Sequence, residues 1–211
     1  MDLLVSTYIK LGIISVGIAA GYTREKVLTT TNHHFWYFLL VAFAGEILDI
    51  SMARLLCNNY PYYHVFRPLY YALLTLALSG EMGRLRKTFL ISIPVTWIIA
   101  LINAIYFQHP DRQLNTLVII IISVLLILQV LFYVAFLFEN HNWKETIYHH
   151  SFWIAMGILI NSISSFLSLG IYNFIEGEGQ KALVPILIVS EWLFYSSFII
   201  NFILQKQKAE T

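Results

Sequence analysis

Seven long apolar segments, separated by short polar connections, follow one another over the whole chain. Each has the roughly 17–25 residues that an α-helix needs to cross the hydrocarbon core of a bilayer. The pattern predicts an all-α integral membrane protein, with residues 1–211 forming a single domain of seven transmembrane helices. The predicted segments are Leu3–Gly21, Phe35–Leu56, Tyr63–Ser79, Phe89–Phe107, Leu117–Phe138, Phe152–Phe174 and Leu183–Leu204.

The second predicted segment differs from a plain apolar helix because two carboxylates, Glu46 and Asp49, lie within it. Their i, i+3 spacing places both on one face of a helix. A charged side chain at membrane depth is costly, so such residues usually face the interior of a bundle and have partners there. We therefore expect a polar site inside the bundle on this face of the second segment.

Apart from Arg54, which is close to the end of the second segment, three further charged residues lie inside predicted segments: Lys10 in the first, Arg67 in the third and Glu191 in the seventh. At 1.5 Å of rise per residue, all five charges lie between about 6 and 15 Å below the same bilayer surface, so they can meet. We expect Arg67 to pair with Asp49 or Glu46, because the second and third segments are adjacent and antiparallel. Lys10 reaches Glu191 only if the first and last segments touch. The uncharged members of the expected ligand-binding or ion-pair pocket are His64, Tyr71 and Asn161.

The positive charges of the connections predict the orientation of the bundle. With the N-terminus outside, eight Lys and Arg residues are cytoplasmic and three are external. Cytoplasmic connections carry the excess of Lys and Arg in membrane proteins, so we expect the N-terminus outside and the C-terminus in the cytoplasm. The polar pocket would then face outward.

One pattern is typical of internal duplication. Phe152-Trp153 follows Phe35-Trp36 by 117 positions, and Pro185 follows Pro68 by the same number. Segments 1–3 and 5–7 would then be parallel repeats with the fourth as a linker, a 3+1+3 symmetry that some transporters use. The alternative is that aromatic residues recur at the interfaces by composition, and both interpretations stay open.

Composition narrows the function classes. Only 12% of the residues are charged and the mean hydropathy is +0.70, whereas a soluble domain has roughly 25% charged residues. The net charge of +1, without a concentrated basic face, argues against a nucleic-acid partner. The single cysteine, Cys57, excludes an intramolecular disulfide.

Two kinds of seven-helix protein are excluded because the chain lacks residues that they need: rhodopsins of the usual plan and seven-helix zinc hydrolases of the membrane. The last segment, Leu183–Leu204, contains no lysine for a retinal Schiff base. His149 and His150 lie at the predicted cytoplasmic end and His64 is alone in its segment, so no intramembrane zinc trio is available. We expect no cofactor and no metal, and a binding protein is favoured over an enzyme.

A resemblance rests on three stretches. They are Phe35-Trp36 followed by Glu46, Phe138-Glu139-Asn140 leading into Ser151-Phe152-Trp153-Ile154, and Tyr195 to Asn201. With these the chain resembles a family of small, uncharacterised bacterial inner-membrane proteins often encoded beside sensor histidine kinases. The resemblance covers most of the chain, includes no catalytic motif and transfers no functional residue. It implies an accessory role in envelope sensing and a place in the bacterial inner (cytoplasmic) membrane.

These observations favour a sensor, receptor-like or signalling accessory protein whose pocket binds a small ligand or a partner segment. A small-solute or proton-coupled transporter, with Glu46, Asp49 and Glu191 as protonatable groups, is the first alternative. An integral-membrane enzyme acting on lipid is the second. The expected partners are the lipid bilayer, a small-molecule ligand and a sensor kinase or another membrane protein.

Overall fold

Helices account for most of the chain, as predicted. The computed structural model describes residues 3–149, 151–175 and 177–205, and within these residues it contains eight α-helices and no strand. The all-α prediction is therefore confirmed. The helices are α1 (Leu3–Thr23), α2 (Thr30–Leu55), α3 (Tyr60–Ser79), α4 (Arg86–Ile102), α5 (Thr116–Asn140), α6 (Trp143–Ile147), α7 (Phe152–Ser168) and α8 (Glu178–Leu204).

The seven predicted segments correspond to α1–α5, α7 and α8, but several helices begin earlier than predicted. α2 begins five residues early because the Thr29 side chain accepts a hydrogen bond from the Asn32 amide and caps the helix. α3 begins three residues early with Pro61 in its first turn, where a helix needs no amide donor. A hydrophobic pattern does not detect these polar first turns, so the predicted starts of both helices are too late.

The sixth predicted segment is too long at its C-terminal end. α7 ends at Ser168 rather than Phe174, because the amides of Leu169 and Gly170 both donate to the Ser165 carbonyl oxygen (2.9 and 3.0 Å) and close the helix. The apolar residues continue past this point, so hydropathy alone does not detect the end. The short helix α6, capped reciprocally by Asn142 and Glu145, was not predicted either.

The length and surface of the helices are typical of a membrane protein. Among the described residues, four helical stretches are long and apolar enough to cross a membrane: Val5–Thr23, Arg86–Phe107, Thr116–Asn140 and Gly179–Leu204. Ile91, Leu101, Phe132 and Val189 are each at least half exposed. Water-soluble surfaces rarely present so many large apolar side chains together, so this surface favours association with a membrane. The count of seven spans and their orientation stay predictions.

The first and last helices pack against each other. α8 lies between α1 and α7, while α2 packs on α1 and α3, and α5 packs on α3 and α7. An aromatic group at the centre joins α2 to α8, with the ring of Phe38 stacked on Phe198 (centroids 5.6 Å apart) and Phe35 edge-on to Phe198 (5.9 Å). This arrangement brings the early part of α1 beside the middle of α8.

Candidate functional site

Lys10 of α1 joins carboxylates from two other helices. Its ammonium nitrogen is 2.6 Å from Glu46 Oε2 on α2 and 3.0 Å from Glu191 Oε2 on α8. The three side chains are only 12%, 7% and 20% exposed. We call this group the Lys10 triad. Because each charge faces an opposite one, the triad offsets much of the free energy that burial of these charges would otherwise cost.

Neighbouring contacts hold the triad in place. Trp192 follows Glu191 on α8, and its indole N–H donates to the Ser6 carbonyl oxygen, one turn before Lys10 on α1 (3.3 Å). On α2, Gly45 precedes Glu46 and lets α3 approach closely, since a Cβ at Gly45 would lie 2.5 Å from Tyr70 Oη. The residues around the triad therefore fix how α1, α2, α3 and α8 approach one another.

The triad lines a small inner cavity of about 50 Å³. A cavity of this size has room for a few water molecules. Asp49 and Arg67 also line it, so all five charges identified in the sequence lie around one space. The rest of the wall is mainly aromatic, with Phe38, Tyr62, Tyr63, Phe66, Tyr70, Tyr71, Phe194 and Tyr195.

A larger outer chamber of about 340 Å³ lies next to the inner cavity, towards the N-terminal end of α1. The two spaces share Lys10, Asp49, Tyr63 and Glu191 as lining residues. At the outer chamber, the exposed Arg54 donates a hydrogen bond to Tyr8 Oη (3.0 Å). This volume falls in the range of pockets that bind small molecules.

Seven of the eight residues proposed from the sequence line the inner cavity. They are Lys10, Glu46, Asp49, Arg67, Tyr71, Asn161 and Glu191. His64 lines neither space, because its Nε2 is turned to the Gln113 carbonyl oxygen (3.1 Å) in the connection between α4 and α5. That the cavity binds a ligand stays a prediction.

The prediction that Arg67 pairs with Asp49 or Glu46 is wrong. The Arg67 guanidinium carbon lies 5.3 Å from the centroid of the Tyr63 ring, one turn earlier on the same helix. Within the described residues, no carboxylate oxygen lies within 4.0 Å of Arg67. Glu46 is instead paired with Lys10, and Asp49 accepts a hydrogen bond from Asn59 Nδ2 (2.8 Å). Two opposite charges at equal depth on adjacent helices do not always form an ion pair, because the rotation of each helix about its axis decides where each side chain points.

A polar chain leads from the inner cavity into the centre of the bundle. Gln129 Nε2 of α5 donates to Tyr71 Oη (3.0 Å), and the Thr75 hydroxyl donates to Gln129 Oε1 (3.1 Å). Tyr71 also shares a hydrogen bond with the Ser92 hydroxyl of α4. The chain therefore connects the cavity wall to α4 and α5.

A second polar group lies beyond the other end of α3 and was not predicted. Tyr133 Oη donates to Glu81 Oε2 (2.6 Å) and is 3.2 Å from His149 Nδ1, while the Ser151 hydroxyl donates to Glu81 Oε1 (3.4 Å). We call these four residues the Glu81 cluster. The signal that could have revealed it is Tyr133, one turn after Gln129 in a mainly apolar helix.

The described residues include no group of three or more His, Cys, Asp or Glu side chains arranged to hold a metal ion. Comparison with known proteins yields no matching family model, no matching curated protein and no matching solved structure. The resemblance to small inner-membrane proteins therefore rests on the residues quoted for it alone. The functional proposal rests on the geometry of the pocket.

Proposed function

We propose that the protein crosses a bacterial inner membrane seven times, binds a small ligand in its outward-facing pocket and reports the ligand to the cytoplasmic side. The observation that carries this proposal is the Lys10 triad. It joins three helices at the point where a cavity lined by five charged residues meets a chamber large enough for a small molecule. Charged groups inside a membrane bundle usually mark a binding or transport site.

The charges of α2 and α3 are compatible with both helices crossing the membrane. α2 has 26 residues and α3 has 20, so each exceeds or reaches about 30 Å, the thickness of the hydrocarbon core. Glu46, Asp49 and Arg67 all line the inner cavity rather than a lipid-facing surface. With seven spans, the eight-to-three distribution of basic residues supports an external N-terminus.

The triad also supports a reporting role. A ligand that contacts one of its carboxylates changes the balance of the contacts among α1, α2 and α8. It can therefore favour one arrangement of these helices over another, provided that it binds the two arrangements with different affinity. The proposed recipient of the signal is a sensor kinase or another membrane protein on the cytoplasmic side, where Arg86 and Lys87 are exposed at the start of α4.

A transporter is the second candidate, and the polar chain favours it. Tyr71, Gln129 and Thr75 extend from the inner cavity towards the Glu81 cluster at the opposite end. Interior polar and ionisable groups in succession are typical of proton and solute pathways. The sensor does not require such a succession, whereas a proton-coupled transporter does.

One variant separates the two candidates. In Glu191→Gln the side chain keeps its shape but loses its charge, so ligand binding should weaken in a sensor, and no flux should be measured in either parent or variant. In a proton-coupled transporter, the same change should abolish pH-driven uptake into proteoliposomes while exchange of bound substrate survives. Glu139→Gln, on an exposed residue at the end of α5, is the matched control. Unchanged binding and flux in Glu191→Gln would refute a role of this carboxylate in either function.

A further inference from the structure

The outer chamber has a charge character that points to a class of ligand. We infer that it binds a small organic cation, a protonated amine with an apolar body, whose ammonium group lies between Asp49 and Glu191. The inference rests on the proposed ligand-binding function and names its ligand class. It follows from three features: the charge balance, the unused carboxylate oxygens and the walls of the chamber.

The buried and half-buried charges around the two connected spaces do not balance. Apart from the exposed Arg54, the three carboxylates of Glu46, Asp49 and Glu191 face the cations of Lys10 and Arg67, which leaves one negative charge. Lys10 is committed to the triad, and Arg67 lies against the Tyr63 ring. A ligand that brings one positive charge would therefore neutralise the site, and in a region poor in water that neutralisation is strongly favourable.

Two of the carboxylates, at the junction of the two spaces, each have one oxygen that accepts no hydrogen bond from the described residues. Asp49 uses Oδ1 to accept from Asn59, and Glu191 uses Oε2 to contact Lys10. From the described part of the chain, neither Asp49 Oδ2 nor Glu191 Oε1 accepts a hydrogen bond. Both residues line both spaces, so an ammonium group at this junction would have two charged acceptors.

The nearest further cation does not fill this role. Arg54 lines the outer chamber, but it is exposed and hydrogen-bonded to Tyr8. Water and salt screen a charge in such a position far more than one inside the bundle. Arg54 therefore leaves the negative charge of the interior largely uncompensated.

The remaining walls suit an apolar ligand body. Ile50, Val184, Leu187, Ile188 and Trp192 line the outer chamber beside the two carboxylates. A hydrophobic pocket with a few placed polar groups is the usual form of a small-molecule site. An anion of the same shape would face two carboxylates, and a neutral ligand would leave the charge unbalanced.

The test uses the full-length protein in lipid nanodiscs and measures binding of four probes by calorimetry. Propylammonium and phenethylammonium are the cations, and 2-phenylethanol and 3-phenylpropionate are the neutral and anionic counterparts of the second. We expect at least one amine to bind about tenfold or more tightly than the alcohol and the acid, a difference of about 1.4 kcal/mol. Glu191→Gln and Asp49→Asn should each remove that preference, whereas Glu139→Gln should keep it.

Each contrary result has a distinct meaning. Tighter binding of the alcohol or the acid, lost in the same variants, would overturn the cation assignment and leave the pocket proposal standing. Binding of neither amine by the parent protein would also overturn the cation assignment. Binding that is equal in the parent, Glu191→Gln and Asp49→Asn would overturn the assignment of the pocket itself. Thermal unfolding of each variant without probe shows whether binding is lost because a contact is missing or because the protein is unfolded. Asp49 lies outside the triad, so Asp49→Asn tests the junction without removing a triad contact.

Discussion

Lys10 and Glu191 are 181 positions apart in the chain, and yet their charged atoms lie 3.0 Å from each other. The contact exists because α1 and α8 pack side by side, and Glu46 of α2 completes the group. Each carboxylate on its own would be a costly residue for the interior of a membrane bundle. The shared ammonium group explains how the bundle accommodates both.

Removing the shared cation should destabilise the protein more than removing one of its acids. Lys10→Met leaves two buried carboxylates without their ammonium partner, and breaking a buried pair in this way costs about 3–5 kcal/mol. We expect a clear fall in the unfolding temperature in detergent. Adding Glu46→Gln should restore part of the loss, because one of the two unpaired charges is then gone.

The matched control for this pair of variants is Arg54→Met. Arg54 is exposed, and its only side-chain hydrogen bond within the described residues is to the Tyr8 hydroxyl, so its removal should change the unfolding temperature little. If the losses in Lys10→Met and Glu46→Gln simply add in the double variant, the two side chains are not coupled and the triad is not formed.

Cys57 offers a test of topology. It is the only cysteine of the chain and is exposed between α2 and α3, on the side that the charge distribution predicts to be outside. A membrane-impermeant thiol reagent should label Cys57 in intact cells. In a Cys57→Ser background, a cysteine introduced by Arg86→Cys should be labelled only after lysis, because a membrane-spanning α3 would place the two positions on opposite sides. The reverse pattern would contradict the orientation, and labelling of both from outside would contradict a transmembrane α3.

The packing of α7 on α8 depends on a glycine. A Cβ at Gly157 would collide with the hydroxyl of Ser197 and lie 3.3 Å from Phe194 Cα on α8. Gly157→Ala should therefore lower the free energy of unfolding, by about 1–3 kcal/mol as for other overpacked sites. Gly12→Ala on α1 is the control, since nothing lies within 4 Å of a Cβ there. Equal stability of the two variants would contradict the close approach of α7 and α8.

The sequence predicts the helices well and the details of the site less well, for physical reasons. Hydrophobic length identifies a helix, and the depth of a charge follows from its distance to the helix end, which is why Lys10, Glu46 and Glu191 could be placed near one another. Depth does not give the direction in which a side chain points. Arg67 lies at a suitable depth for Asp49, but its guanidinium group lies against Tyr63 on its own helix.

Residues in the connections were also difficult to predict. Asn59 immediately precedes α3 and donates a hydrogen bond to Asp49. Its position follows from the start of α3 at Tyr60, three residues before the predicted start. Glu81 follows the end of α3 and meets Tyr133 only through the packing of α3 on α5. Such contacts depend on how helices are arranged in three dimensions, and an apolar pattern carries no information on that arrangement.

The most direct test of the ligand pocket is native mass spectrometry of the protein extracted gently from its own membrane. The parent protein should carry a small molecule that is released on unfolding, and Glu139→Gln should carry the same molecule. Glu191→Gln should lose most of it while remaining folded, because the triad and the junction of the two spaces both depend on that carboxylate. A parent protein without any bound small molecule, or a Glu191→Gln variant with the same occupancy as the parent, would contradict the proposed pocket.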